Sequence, residues 1–215
     1  MVFVTISAIG AWGATIMRRS RPALRQGPAW RKIIAMKRLF ICMSVLLATS
    51  TMFAQQKPPA SPSATASVTI GGKTITINYN SPRVNGREGK LFTKDGKIGH
   101  DPHYPVWRAG ANAATTLRTD ADLKIGDLNV PAGTYTLFVD ISDPTQWTLI
   151  VSKATGEWGL AYDPSKDLGK TKMTTTKPPA MVEDLKYTLT DDGGGKGTLT
   201  LAWENVSASV PLSVQ

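Results

Sequence analysis

Thiols are almost missing from this chain: one of its 215 residues is cysteine, Cys42. Residues 55–215 therefore hold no disulfide, no cysteine nucleophile and no thiolate metal ligand, and their stability in an oxidising compartment must come from their core. Histidine is nearly as scarce. His100 and His103 are the two imidazoles available as bases, and no Gly-x-Ser-x-Gly elbow accompanies them. Gly193-Gly194-Gly195 is not followed by Lys-Ser/Thr and leads into a β-prone run, so it does not cradle phosphate. Past the N-terminal segment no window of helical length shows a 3.6-residue apolar period. Acidic residues are absent from residues 1–54, which hold eight of the 25 basic ones. The remainder carries 17 basic residues against all 16 acidic ones, so the basic pI of about 9.7 does not describe it. Without clustered cations to release counterions, a nucleic-acid partner is not expected. No cofactor is expected either.

The N-terminal charge has an export explanation. Met36-Lys37-Arg38 is a positive n-region, Leu39 to Leu47 an apolar h-region too short to cross a bilayer, and Ala48 to Thr51 are smaller residues. Residues 36–54 thus read as a signal peptide, cut after Ala54 to leave Gln55 first. Met52 is large for the position three before that cut, so a cut after Ser50 is the alternative. Residues 1–35 read as an upstream start mis-called before Met36, or as an extra N-terminal segment with an apolar run at Val2 to Met17. Arg18-Arg19 stands too far from the h-region for a twin-arginine signal, and Ile41 before Cys42 does not fit a lipid-attachment box. The expectation is an exported protein, periplasmic or extracellular, with no stable membrane span in its mature form.

Gln55 to Ala66, rich in Pro, Ala and Ser, reads as a flexible linker before a domain at 67–215. Ser67 to Ile70 and Lys73 to Tyr79 flank Gly71-Gly72, a two-residue hairpin turn. Further β-prone runs are Ala114 to Thr119, Ala121 to Ile125, Thr134 to Ile141, Trp147 to Ser152 and Leu185 to Thr190. Thr198 to Trp203 and Val206 to Val214 follow, with Asp191 to Gly197 as a polar loop tip. Thr-rich Lys172 to Lys177, just before Pro178-Pro179, suits an edge strand. Tyr135, Leu137 and Val139 alternate, as do Leu199, Leu201 and Trp203. The pattern predicts an all-β fold: one antiparallel β-sandwich, jelly-roll-like, of nine or ten strands, large enough to bury a core without disulfides.

Several segments are more specific than generic β sequence. Tyr79 through Gly86-Arg87, Trp107-Arg108-Ala109-Gly110-Ala111-Asn112-Ala113-Ala114-Thr115-Thr116, Val130 through Phe138, Trp147 to Ile150, Gly156-Glu157-Trp158-Gly159, Tyr162-Asp163, Lys166-Asp167 and Trp203-Glu204-Asn205 occur in order. Together they resemble the secreted bacterial family of domain of unknown function 2911, over about residues 66–212. The resemblance implies an exported β-sandwich and brings no activity with it. Between Gly86 and Trp107 the chain departs from the family pattern with a longer, more polar segment holding His100-Asp101-Pro102-His103.

Two constellations could carry chemistry. Trp107, Arg108, Asn112 and Thr115, with Trp158, Tyr162, Asp163 and Asp167, combine flat aromatic faces with planar hydrogen-bonding groups, which suits a sugar ring or small polar ligand. The structural alternative is that Arg108 pairs with Asp163 or Asp167 to lock a loop, while Trp107 and Trp158 plug the core. His100 and His103, with Asp101, are suitable ligands for Zn²⁺, but they lie in a loop and would need a distant carboxylate. The paired acids Asp191-Asp192, Glu183-Asp184 and Asp120/Asp122 look like solvated surface groups. Two functions follow. One is a non-enzymatic envelope module binding a small polar ligand, a glycan or a partner protein. The other is a metal- or carboxylate-dependent hydrolase using the His100/His103 loop and the Arg108/Asp163 cluster.

Overall fold

The computed structural model describes residues 59–215. The upstream segment, the signal peptide and the first residues of the linker lie outside the described residues.

Alternating apolar residues separated by short turns give strands in two antiparallel sheets. The first sheet runs β1 (Ser63–Ile70), β2 (Lys73–Asn80), β4 (Thr115–Thr119), β7 (Gly133–Asp140), β8 (Thr148–Ser152) and β9 (Asp167–Lys172), with β3 (Val106–Trp107) beside β7. The second runs β11 (Val182–Gly193), β12 (Lys196–Glu204), β13 (Val206–Val214), β5 (Leu123–Ile125) and β6 (Leu128–Val130), with β10 (Thr174–Thr176) beside β13. At the sandwich sides β1 lies against β11, and β6 against β9. Arg83 bridges to Asp184 across the first of these sides, with a 2.7 Å ion pair.

The all-β sandwich expected from the sequence is what forms, with thirteen strands rather than nine or ten. The additions β3, β6 and β9 are short or polar, so alternation does not announce them. β1 starts at Ser63, inside the stretch read as a linker. Gly71 and Gly72, at φ +57° and +76°, make the expected hairpin turn. The Asp191–Gly197 tip is tighter than a polar loop, because Gly193 still pairs with Lys196.

The inner faces meet through Ile75, Ile77, Leu117, Leu137 and Leu149 on one side and Leu185, Leu199, Leu201 and Val210 on the other. At one end the loop between β2 and β3 folds back and inserts Val84, Leu91, Phe92 and Ile98. There Trp107 stacks on Trp203 with ring centroids 5.7 Å apart, and Phe92 meets both edge-on at 5.9 and 5.8 Å. This end of the sandwich is a plug of aromatic rings.

A second apolar patch forms outside the first sheet. Tyr135, Leu137 and Val139 of β7 face the core, so Phe138 faces outward, with Ile150 of β8 directly opposite it. Both are nonetheless buried, at 3% and 0% exposure. Segment 153–166, the flap, folds over them, and the Tyr162 ring rests on Phe138 at 4.8 Å. Burial of one such aromatic contributes about 1.5–3 kcal/mol to holding the flap down.

Candidate functional site

The flap is fastened at several points. The Lys153 N–H donates to Lys166 O at 2.8 Å and draws its two ends together. Thr136 Oγ1 donates to Ala154 O, and Trp158 forms a β-bridge with Ala113. Gly159 N–H donates to Asn112 O at 3.3 Å. A side chain at Gly159 would meet Arg108 Cδ at 2.8 Å and Asn112 O at 2.9 Å, so the flap can lie on Arg108 only through a glycine. Asp163 caps the 3-10 turn Pro164–Lys166, accepting from Ser165 N–H at 2.9 Å. The Tyr162 hydroxyl donates to Asp167 Oδ2 at 2.9 Å.

Under the flap, Arg108 pairs with Asp101 at 3.0 Å, and both side chains are largely buried, at 16% and 13% exposure. The guanidinium does hold a loop, but through neither Asp163 nor Asp167. Its partner is the carboxylate between the two histidines. The 98–106 loop delivers Asp101 through successive turns, with Asp101 N–H bonded to Ile98 O and Val106 N–H to His103 O. His103 stands edge-on to Tyr162 at 5.7 Å. Asp101, His103, Val106, Arg108, Phe138, Leu160 and Tyr162 line one crevice, which their side chains fill so closely that no water-sized space remains inside.

The residues singled out in the sequence thus divide. Arg108, Tyr162 and His103 converge on the crevice, with Asp167 behind Tyr162. Trp158 is on the flap beside it and is 58% exposed, so it is no core plug. Trp107 is, at 2% exposure. Thr115 is fully buried and donates to Ala109 O at 3.2 Å, which holds Ala109 in its left-handed conformation at φ +50°. Asn112 takes a similar φ of +56° in an exposed turn, and its amide reaches Ser61 O at 3.5 Å. Much of the Trp107–Thr115 motif therefore builds a turn. His100 is exposed. Among the described residues no group of three or more His, Cys, Asp or Glu side chains is placed to hold a metal ion, and no hydrogen bond joins either histidine to Asp163 or Asp167.

Electrostatics fix the roles of the flap groups. Burial, then the bond to Asp167, pushes the Tyr162 phenol well above its ordinary value, so it remains a neutral donor. Ser165, through its side chain and its N–H, holds the Asp163 carboxyl below the usual range, so at neutral pH it is an ionised cap and no proton donor. Asp167 Oδ1 is buried without a hydrogen-bond partner among the described residues, while Lys170 reaches Oδ2 at 3.4 Å.

Three participants were not singled out from sequence. Tyr187, buried on β11, donates to Ala109 O at 3.0 Å and secures the same turn as Thr115. Gly159 carries the close approach described above. Phe138 anchors the flap, and its signal was present. The unbroken apolar runs Leu137-Phe138-Val139 and Leu149-Ile150-Val151 mark strands covered on both faces.

Neither a curated protein nor a solved structure matches the chain. All strands but the last two residues of β13, the Trp107–Thr115 turn and the flap fall within residues 61–212, the stretch matched by the model of the family described as protein of unknown function (DUF2911), and the chain belongs to that family.

Proposed function

We propose that this domain is a non-enzymatic module of the bacterial envelope, exported to the periplasm or beyond, that binds a small polar ligand or glycan at the rim of the flap. The observation that carries this reading is Trp158. Trp158 is 58% exposed on a flap pinned by backbone bonds on both sides, and the next residue, Gly159, lies against Arg108 in the lining of the crevice that also holds His103. A rigid exposed indole offers a sugar ring an apolar face at little entropic cost, and neighbouring planar donors set its orientation. With the crevice filled, the ligand engages the rim and leaves the interior closed.

The test is a glycan-array screen of the purified protein beside its Trp158→Ala variant. Trp158→Ala is expected to lose binding roughly tenfold or more with an unchanged melting temperature. Arg108→Ala, which leaves Asp101 unpaired and largely buried, is expected to lose about 3 kcal/mol of stability. A ligand retained in full by Trp158→Ala would sink the rim as the site.

A further inference from the structure

The second sheet carries a separate groove, lined by residues of β5, β11, β12 and β13, which the reading above does not use. Its volume is about 360 Å³, within the range of small-molecule sites and far beyond a monatomic ion. Register explains its chemistry. Lys124 of β5 pairs with Ser213 of β13, and Ser213 pairs with Lys196 of β12, so the three side chains form one row on one face. The two lysine stems therefore stand two strands apart, about 10 Å, and can close on one anion between them. Neither lysine has an ion-pair partner among the described residues. Ser213 Oγ accepts from the Gln215 amide at 2.9 Å, which leaves its own hydrogen free to donate into the groove.

The adjoining row selects among anions. Pro211, exposed, pairs with Thr198 and presents an apolar floor. Asp192 receives the Thr198 hydroxyl at 2.7 Å and the Thr190 hydroxyl at 2.8 Å, which hold its carboxyl ionised and fixed at the groove wall. Two lysines and one aspartate leave a single net positive charge, which suits a monoanion. The aspartate repels dianions and offers acceptors to hydroxyl groups. Anion, hydroxyls and an apolar face together describe one ligand class.

We infer that this groove binds an acidic sugar, its carboxylate held between Lys124, Ser213 and Lys196, its hydroxyls on Asp192, and its ring over Pro211. The test is calorimetric titration of the purified protein at low ionic strength with a glucuronate-containing disaccharide, the neutral glucose disaccharide of the same linkage, and inorganic phosphate. The acidic disaccharide is expected to bind at least tenfold more tightly than the other two. Lys124→Gln and Lys196→Gln should each weaken it about three- to fivefold, Asp192→Asn should narrow its advantage over phosphate, and all three should keep their melting temperatures. Lys124→Gln and Lys196→Gln made in a Trp158→Ala background, where the flap rim is disabled, should show the same losses of about three- to fivefold, which separates the groove from the flap rim. No binding of the acidic disaccharide, binding indifferent to both lysine variants, or phosphate bound equally well would each overturn the assignment.

Discussion

At the scale of single residues, Glu204 is a carboxyl held under electrostatic tension. It occupies the tight turn between β12 and β13 at φ +56°, is 5% exposed, and accepts the N–H of Gly89 from the long β2–β3 loop. Burial, reinforced by the charge of Glu88, lifts its carboxyl above the ordinary 4.5, and the backbone bonds offset only part of that. A folded-state carboxyl with a raised pKa binds its proton more tightly than the unfolded chain does. Its contribution to stability is therefore most favourable below 4.5 and declines as pH rises through the folded value. Urea unfolding of wild type and Glu204→Gln between pH 4 and 8 checks this. The stability of the variant relative to wild type should rise with pH, and a difference that is flat or falling would contradict the burial argument. Such tension was not visible in the sequence, where Trp203-Glu204-Asn205 stands only among the segments that carry the family resemblance. Arg108 shows the same gap: its need for a carboxylate was legible, but the choice of Asp101 over Asp163 or Asp167 depends on how three loops stack.

At the scale of elements, the close approach of the flap to Arg108 turns on Gly159. Gly159→Ala inserts a methyl group against Arg108 Cδ and Asn112 O, and neither the ion-paired arginine nor the backbone carbonyl can retreat freely. The substitution is expected to cost about 1–3 kcal/mol and to raise hydrogen exchange across 153–166 more than in β7 or β8 beneath. Uniform exchange would show that the flap opens only with the whole domain. Long strands were readable because alternation and glycine turns agree, as in β2, β12, β13 and the second half of β1. Short ones were not. β3 has two residues, and β9 begins Asp-Leu-Gly-Lys, a sequence with no strand preference that pairs because β8 offers it an open ladder. The flap itself was legible only in outline, since Tyr162 and Trp158 were named for a ligand while Phe138, on which the flap rests, passed as an ordinary strand residue.

For the whole molecule, charge distribution was the most informative sequence feature and the easiest to misread. The excess of basic residues belongs to residues 1–54, and the sandwich is nearly neutral. If residues 36–54 are an export signal, N-terminal sequencing of protein recovered outside the cytoplasm should begin at Gln55, or at Thr51 for the earlier cut. A start at Met1 or Met36 in that fraction would refute it. The sides of the sandwich have a consequence of their own. Because β1 lies along β11 and β6 along β9, these four border strands are shielded by one another. β10 offers three residues and then Pro178-Pro179, which have no N–H to donate. A β-rich chain with little charge to keep its copies apart would ordinarily be prone to stack into fibrils. Here the geometry of the borders, rather than electrostatic repulsion, covers the edges through which such sheets would stack.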